Sequence, residues 1–169
     1  MSFISMYMTR FWLILYIVLI ALAVSGCCCF TGTNTVTPAP SGSPASTVNT
    51  MGDIDTLLQK GPVFVEFGAT WCTWCTQEQP IIDSLKKNYT GITFVHVDTD
   101  ENSVLPDAFS VDGIPQMDII VNKTADGSYT YIDPYGKTTN DRTSSRIIGY
   151  TDQDTLKSLL DAAAAARGK

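Results

Sequence analysis

The sequence predicts an α/β domain: a central mixed β-sheet flanked by helices on both faces. Three observations predict it. Short runs such as Val63-Phe64-Val65-Glu66-Phe67 are β-branched and aromatic, and longer stretches between them repeat their apolar residues every three or four positions. The elements then follow in the order helix, strand, helix, strand, helix, strand, strand, helix. A parallel βαβ unit followed by a hairpin and a closing helix folds into such a sheet.

Each element has its own warrant. Asp53 to Lys60 places Ile54, Leu57 and Leu58 on one helical face, and Gly61-Pro62 ends it. Val63 to Phe67 is apolar on both faces apart from Glu66, which suits a buried central strand. From Cys72 a helix is expected to reach Asn88, with Ile81, Ile82, Leu85 and Tyr89 inward and a kink at Pro80. Ile92 to Val97 is a second strand, and Glu101 to Phe109 a short helix interrupted by Pro106. Ile114-Pro115 leads into a third strand, Gln116 to Val121.

Residues 122–143 are polar, with Gly127, Pro134 and Gly136 as turn signals and a small hairpin expected around Tyr129, Tyr131 and Ile132. Arg146 to Tyr150 is a last short strand. Thr151 and Asp154 resemble a capping pair for a final helix whose inner face is Leu156, Leu159, Leu160 and Ala163.

The folded domain is expected over residues 51–169, because the first fifty residues read differently. Residues 1–30 have the build of a secretory signal: Arg10 is the one charge, and Phe11 to Val24 carries none. Val24-Ser25-Gly26-Cys27 resembles a bacterial-type lipobox, which would make Cys27 a lipidation site. An uncleaved anchor is the alternative, since Phe11 to Phe30 is just long enough to span a bilayer. Either way the domain is expected to be tethered to a membrane. With Arg10 the only basic residue before Lys60, the rest of the chain is expected on the extracytoplasmic side.

Residues 31–50 lack charge and are rich in Thr, Ser and Pro, so they cannot offset their ordering entropy by burial. They are expected to form a flexible linker reaching about 25 Å. The formal net charge of −6 argues against nucleic acid as a partner.

Chemistry concentrates at Trp71-Cys72-Thr73-Trp74-Cys75, where the first strand hands over to a helix. Unpaired N–H groups at a helix start favour a thiolate at the first cysteine, and the thiolate is the attacking species. Cys72 can attack a disulfide, and Cys75 can resolve the product once it loses a proton. A carboxylate in an apolar strand is a candidate acceptor for that proton, which singles out Glu66; a buried acid paired with His96 or a lysine is the other reading. Beyond residue 50 the sequence has two cysteines and one histidine on different elements, too few for a four-ligand structural zinc. No metal and no other cofactor is expected.

The element order, the run Phe67-Gly68-Ala69-Thr70-Trp71-Cys72-Thr73-Trp74-Cys75, Pro80 beyond it, and Gly113-Ile114-Pro115 together resemble thioredoxin across residues 51–169, with a departure at 122–143. The resemblance implies that Cys72 is the exposed nucleophile and Cys75 the buried resolving thiol. It implies that Pro115 is a cis-proline beside them, with a substrate chain lying against Ile114. Glu66 falls where the family carries a buried aspartate, and His96 where a lysine often pairs with it. Trp71 and Trp74 are expected to contact substrate.

The expected function is thiol–disulfide exchange on exported protein substrates that carry disulfides or dithiols. Thr73-Trp74 between the cysteines does not fix the direction of electron flow. The tether resembles that of reductants fed by a membrane electron donor, which points to a reductant or isomerase. The alternative is a non-catalytic binding or chaperone module with a structural disulfide. The segment 122–143 suits either a partner ledge or a solvated hairpin.

Overall fold

The computed structural model describes residues 48–167. The expected signal or anchor, Cys27 and most of the linker lie outside the described residues. Among the described residues no helix is long and apolar enough to cross a membrane.

The chain enters through helix α1 (Met51–Leu58), capped by Thr50, whose side chain accepts the Asp53 N–H while the Asp53 carboxylate accepts the Thr50 N–H. This reciprocal cap starts the helix ahead of Asp53, where apolar spacing alone had put it. Strand β1 (Val63–Gly68) is buried along its whole length. It pairs in parallel with β2 (Thr93–Asp98) and antiparallel with β3 (Gln116–Lys123). Beyond β3 lie β4 (Tyr129–Ile132) and β5 (Thr138–Thr139), so the main sheet runs β2-β1-β3-β4-β5. A two-residue strand, β6 (Ile147–Ile148), pairs with Gln116 and Met117 at the start of β3.

Alternation along the strands divides the core. Val63, Val65, Phe67, Ile120 and Tyr131 pack with Ile54 and Leu58 of α1 and with Leu105 and Phe109 of α3 (Val104–Phe109). Phe64, Met117, Ile119 and Ile132 face the other way. They pack on Ile82 and Leu85 of α2 (Thr73–Asn88) and on Leu156, Leu159 and Leu160 of α5 (Gln153–Arg167). Helices therefore cover both faces, as the sequence predicts. Gly61 marks a tight approach just before β1: a Cβ there would lie 2.3 Å from the Gly91 carbonyl oxygen. That contact lets Pro62 O accept the Thr93 N–H and set the parallel register.

Several local expectations are corrected. Pro106 does not interrupt α3; it lies in the first turn, where a missing N–H costs nothing. Asn102 Oδ1 accepts the N–H groups of Val104 and Leu105 and starts the helix there instead of at Glu101. Pro80 does lie inside helix α2, as the sequence predicts. At α5 the capping side chain is Asp152, which accepts from the N–H groups of Asp154 and Thr155, and Thr151 is otherwise engaged.

The expected hairpin around Tyr129 is part of the main sheet, because β4 is paired on both sides. Tyr129 bonds Asp55 at 2.6 Å, Tyr131 is buried, and Tyr135 alone of the three projects to solvent. The short helix α4 (Arg142–Ser145) follows, with Arg142 donating to the Ala108 carbonyl and linking this segment to α3.

Candidate active site

The end of β1 and the start of α2 build the site. Cys72 is the N-cap of α2, and the Cys75 N–H points at Cys72 Sγ over 3.1 Å. The two sulfurs are joined as a disulfide of 2.06 Å. A backbone donor aimed at one sulfur of the pair would stabilise charge there once the bond is reduced. The expected contrast in exposure is absent in this oxidised form: Cys72 is 6% exposed and Cys75 5%. Both cysteines are thus equally buried, and the difference between them lies in the hydrogen bond from the Cys75 N–H to Cys72 Sγ.

Gly68 explains how Cys75 comes to rest on the strand. A Cβ at Gly68 would lie 3.4 Å from Cys75 Sγ and 3.3 Å from His96 Cε1. The missing side chain leaves room for the second sulfur and the imidazole to approach the same point of backbone. Pro115, buried, follows a cis Ile114–Pro115 peptide bond. The register Phe67 with Gln116 puts Pro115 one step further, opposite Gly68. Gly149, at a positive φ, donates its N–H to the Pro115 carbonyl over 2.8 Å and brings the 149–151 loop alongside. Ile114 is half-buried and packs against the α1/α3 side of the core.

The tryptophans flank the disulfide from outside. Trp71 is 67% exposed, and its indole N–H donates to Asp100 at 2.8 Å, which fixes the ring's edge. Trp74 is 57% exposed, with its ring centroid 5.9 Å from that of Tyr150. Tyr150 is exposed beside it, and Ile148, two residues earlier, is exposed as well.

Beneath the dithiol, Glu66 is buried in β1 with Oε2 3.2 Å from His96 Nδ1. The strand register pairs the two residues directly. Both readings of Glu66 meet here: it is the buried acid on the Cys75 side of the sheet, and it is tied to His96. Its Oε1 is buried without a hydrogen-bond partner among the described residues.

The Glu66 carboxylate raises the His96 pKa above 6.5, against the opposing effect of burial. The stability that protonated His96 contributes is therefore complete below its unfolded value of about 6.5 and is lost as pH rises through the elevated folded value. Proton NMR of the His96 ring is expected to give a midpoint above that of a free histidine, returning toward it in Glu66→Gln. An unshifted midpoint in the unaltered protein would show that the pair does not form in solution.

Glu78 was not singled out by the sequence reading. It is wholly buried on α2, where Cys75, Glu78, Ile82 and Leu85 form one inward stripe. That spacing was the available signal, an acid standing at an apolar position of the helix. Glu78 Oε1 accepts the Thr151 N–H at 2.8 Å, which is why Thr151 does not cap α5. Burial and the nearby Glu66 charge push its pKa up to about 7, although the Thr151 bond opposes them.

Asp118 was missed likewise. Gln116 Nε2 donates to it at 2.9 Å inside β3, and burial raises its pKa to about 6. Asp118 and Gln116 alternate with Met117, which packs toward α2 and α5, so this pair lies on the opposite face of the sheet from Glu66.

A disulfide joined at a helix start, backed by a mixed sheet and a buried acid, makes this a redox protein of the dithiol–disulfide kind. Residues 47–140 match the family model described as Thioredoxin, and the chain belongs to the thioredoxin family.

Among curated proteins it is 36% identical over 70 residues to Thioredoxin-3 of Dictyostelium discoideum, covering 41% of this chain and 67% of that one. It is 45% identical over 66 residues to the thiol:disulfide interchange protein TxlA homolog of Synechocystis, covering 37% of each. The matched segment thus spans well under half of the TxlA homolog. Among solved structures, the thioredoxin of Trichomonas vaginalis superposes with a TM-score of 0.53 at 23% identity, covering 68% of this chain and 91% of that one. This last likeness supports the fold alone.

Proposed function

We propose that the protein is a thiol–disulfide oxidoreductase that acts on exported protein substrates, in the reducing or isomerising direction. The observation that carries this reading is the Cys75 N–H aimed at Cys72 Sγ at the start of α2, which gives the two sulfurs unequal roles. In the reducing direction the Cys72 thiolate attacks a substrate disulfide and forms a mixed disulfide. Cys75 then attacks Cys72 Sγ, the substrate thiol leaves, and the chain is left oxidised. A substrate strand fits against Ile114 and Pro115, with Trp71, Trp74 and Tyr150 as apolar contacts around it.

The extracytoplasmic location rests on the sequence of residues 1–30 and on the lipobox-like run ending at Cys27. A tethered reductant needs electrons delivered at the membrane, so a membrane electron donor is the expected partner. The reduction potential of the Cys72–Cys75 couple tests the direction. A reductant is expected near the thioredoxin value of about −270 mV, and a value near −120 mV would make the protein an oxidant.

A second reading is favoured by one observation, the low exposure of both cysteines next to the exposed Trp71 and Trp74. Such a surface suits a chain-binding or chaperone module whose disulfide is structural. Serine substitution at Cys72 separates the two readings.

A further inference from the structure

We propose that Arg146 is a positioning residue for polypeptide substrates: it holds the 110–115 loop so that Ile114 and Pro115 offer a fixed edge to the substrate chain. This rests on the oxidoreductase reading, with Ile114 and Pro115 as the platform, and adds a residue that favours protein disulfides over small ones.

The loop needs a hold from outside itself. It opens at Ser110, the cap of α3, whose φ of 53° lies in the left-handed region that residues with a Cβ seldom adopt. Such a conformation persists where neighbouring groups over-determine it. The Ser110 N–H turns back to the Pro106 and Asp107 carbonyls, and the Ser110 carbonyl accepts from Arg146 Nη1 over 2.9 Å. The same nitrogen donates to Asp112 Oδ2 over 3.2 Å. Among the described residues no other side chain hydrogen-bonds the 110–115 loop.

Arg146 is itself fixed. It is the C-cap of α4, its Nε donates to the Thr143 carbonyl over 3.4 Å, and its side chain is largely buried. β6 begins at the next residue and pairs Ile147 with Met117 and Ile148 with Gln116. Gly149 then donates its N–H to the Pro115 carbonyl. The stretch 146–149 therefore grips the loop at both ends, Ser110 and Asp112 at one and Pro115 at the other. A Cβ on Gly113 would lie 3.8 Å from Ile148 Cγ2, so the middle of the loop rests on this stretch too.

Arg142, one turn earlier, braces the last turn of α3 in the same way. It donates to the Ala108 carbonyl, and its guanidinium lies 5.9 Å from the centre of the Phe109 ring. A planar guanidinium suits two acceptors at once. Asp112 is exposed, so that ion pair alone is worth little, and the hold rests chiefly on the charge-assisted bond to the Ser110 carbonyl. Arg146 also favours the charged form of the buried Asp118, but a counter-ion role there would act on stability and not on the choice of substrate.

The test mixes the reduced intact chain, freed of reductant, with insulin or with hydroxyethyl disulfide and follows the loss of its free thiols by acid quench and mass spectrometry. Hydroxyethyl disulfide has no chain to lay along the platform. Arg146→Gln is expected to lower the second-order rate with insulin about tenfold, the cost of a hydrogen bond from a charged group. The rate with hydroxyethyl disulfide is expected to hold. At high insulin the limiting rate is expected to hold as well, with the loss carried by a higher half-saturating concentration. Arg146→Lys keeps the charge near Asp118 and one donor but not the fork, and its loss with insulin is expected to be about threefold.

Equal losses with both substrates, or a loss confined to the limiting rate, would overturn the inference. So would an unchanged insulin rate, whatever the variant's melting temperature. Where Arg146→Gln does not fold, Arg146→Lys is read instead, and an insulin rate equal to that of the unaltered chain sinks the idea. If the unaltered chain reacts with hydroxyethyl disulfide but not with insulin, the role of Arg146 falls while the dithiol chemistry stands. If it reacts with neither, the oxidoreductase reading falls, and the role of Arg146 with it.

Discussion

Replacing Cys72 with serine is expected to abolish insulin reduction down to the background of the chemical reductant, whereas replacing Cys75 with serine is expected to trap the chain as a stable mixed disulfide with insulin. Both outcomes follow from the unequal placement of the two sulfurs. On the oxidoreductase reading, the Cys75 N–H aimed at Cys72 Sγ would stabilise a thiolate there after reduction, so the first attack is assigned to Cys72. A serine there offers an alkoxide far too rare at neutral pH to replace it. Cys75 is needed only afterwards, to cut the substrate free, so its loss leaves the first half of the reaction intact. Nonreducing electrophoresis reads the trapped species and turbidity reads the turnover. Insulin reduction that survives Cys72→Ser would show that the dithiol is structural and would favour the binding-module reading.

The central architecture was legible because its signals are local and redundant. Val63 to Phe67 could hardly be anything other than a buried strand, and the repeats of α2 and α5 set which faces they bury. What could not be read were contacts between residues far apart in sequence. Thr151 looked like half of a capping pair, but Glu78, on another helix, claims its N–H and leaves the cap to Asp152. Asn102 overrode the expected start of α3 for a related reason: side-chain acceptors compete with the backbone for the first N–H groups. Residues 122–143 looked peripheral because they are polar, yet pairing with β3 draws Tyr129 and Tyr131 into the fold.

At the site, Cys72, Cys75 and Pro115 came from motif and order, and Glu66 from a charge in an apolar strand. The structure brings all four to the end of β1, with Ile114 beside Pro115 and Trp71 and Trp74 on the outer surface. The spacing of Glu78 with Cys75, Ile82 and Leu85 is a weak signal, because a helix tolerates a glutamate almost anywhere and such a residue is ordinarily exposed. Its burial becomes visible only once the 149–151 loop closes over it through Thr151. The unequal exposure expected of the cysteines is not seen in the disulfide-bonded form, where both are buried.

Replacing Phe67 with alanine is expected to cost about 3–5 kcal/mol of stability, a large part of the about 5–15 kcal/mol that holds an ordinary domain folded. Phe67 is fully buried in β1 and its ring centroid lies 5.1 Å from that of Phe109. It contributes to the core between the sheet and helices α1 and α3, alongside Ile54, Leu58 and Leu105. Paired with Val97 on one side and Gln116 on the other, the strand has no freedom to close the void by moving. The urea midpoint is expected to fall by about 2 M with little change in slope.

The dithiol lies on the opposite face of the same strand, where Glu66 points. Insulin reduction measured well below the new midpoint is therefore expected to survive, because the substitution acts on the core and leaves the Cys72 N-cap in place. A midpoint shift too small to resolve would mean that the α1/α3 side of the core repacks around the missing ring. A loss of activity in the folded variant would mean that Phe67 also holds the end of β1 against the disulfide.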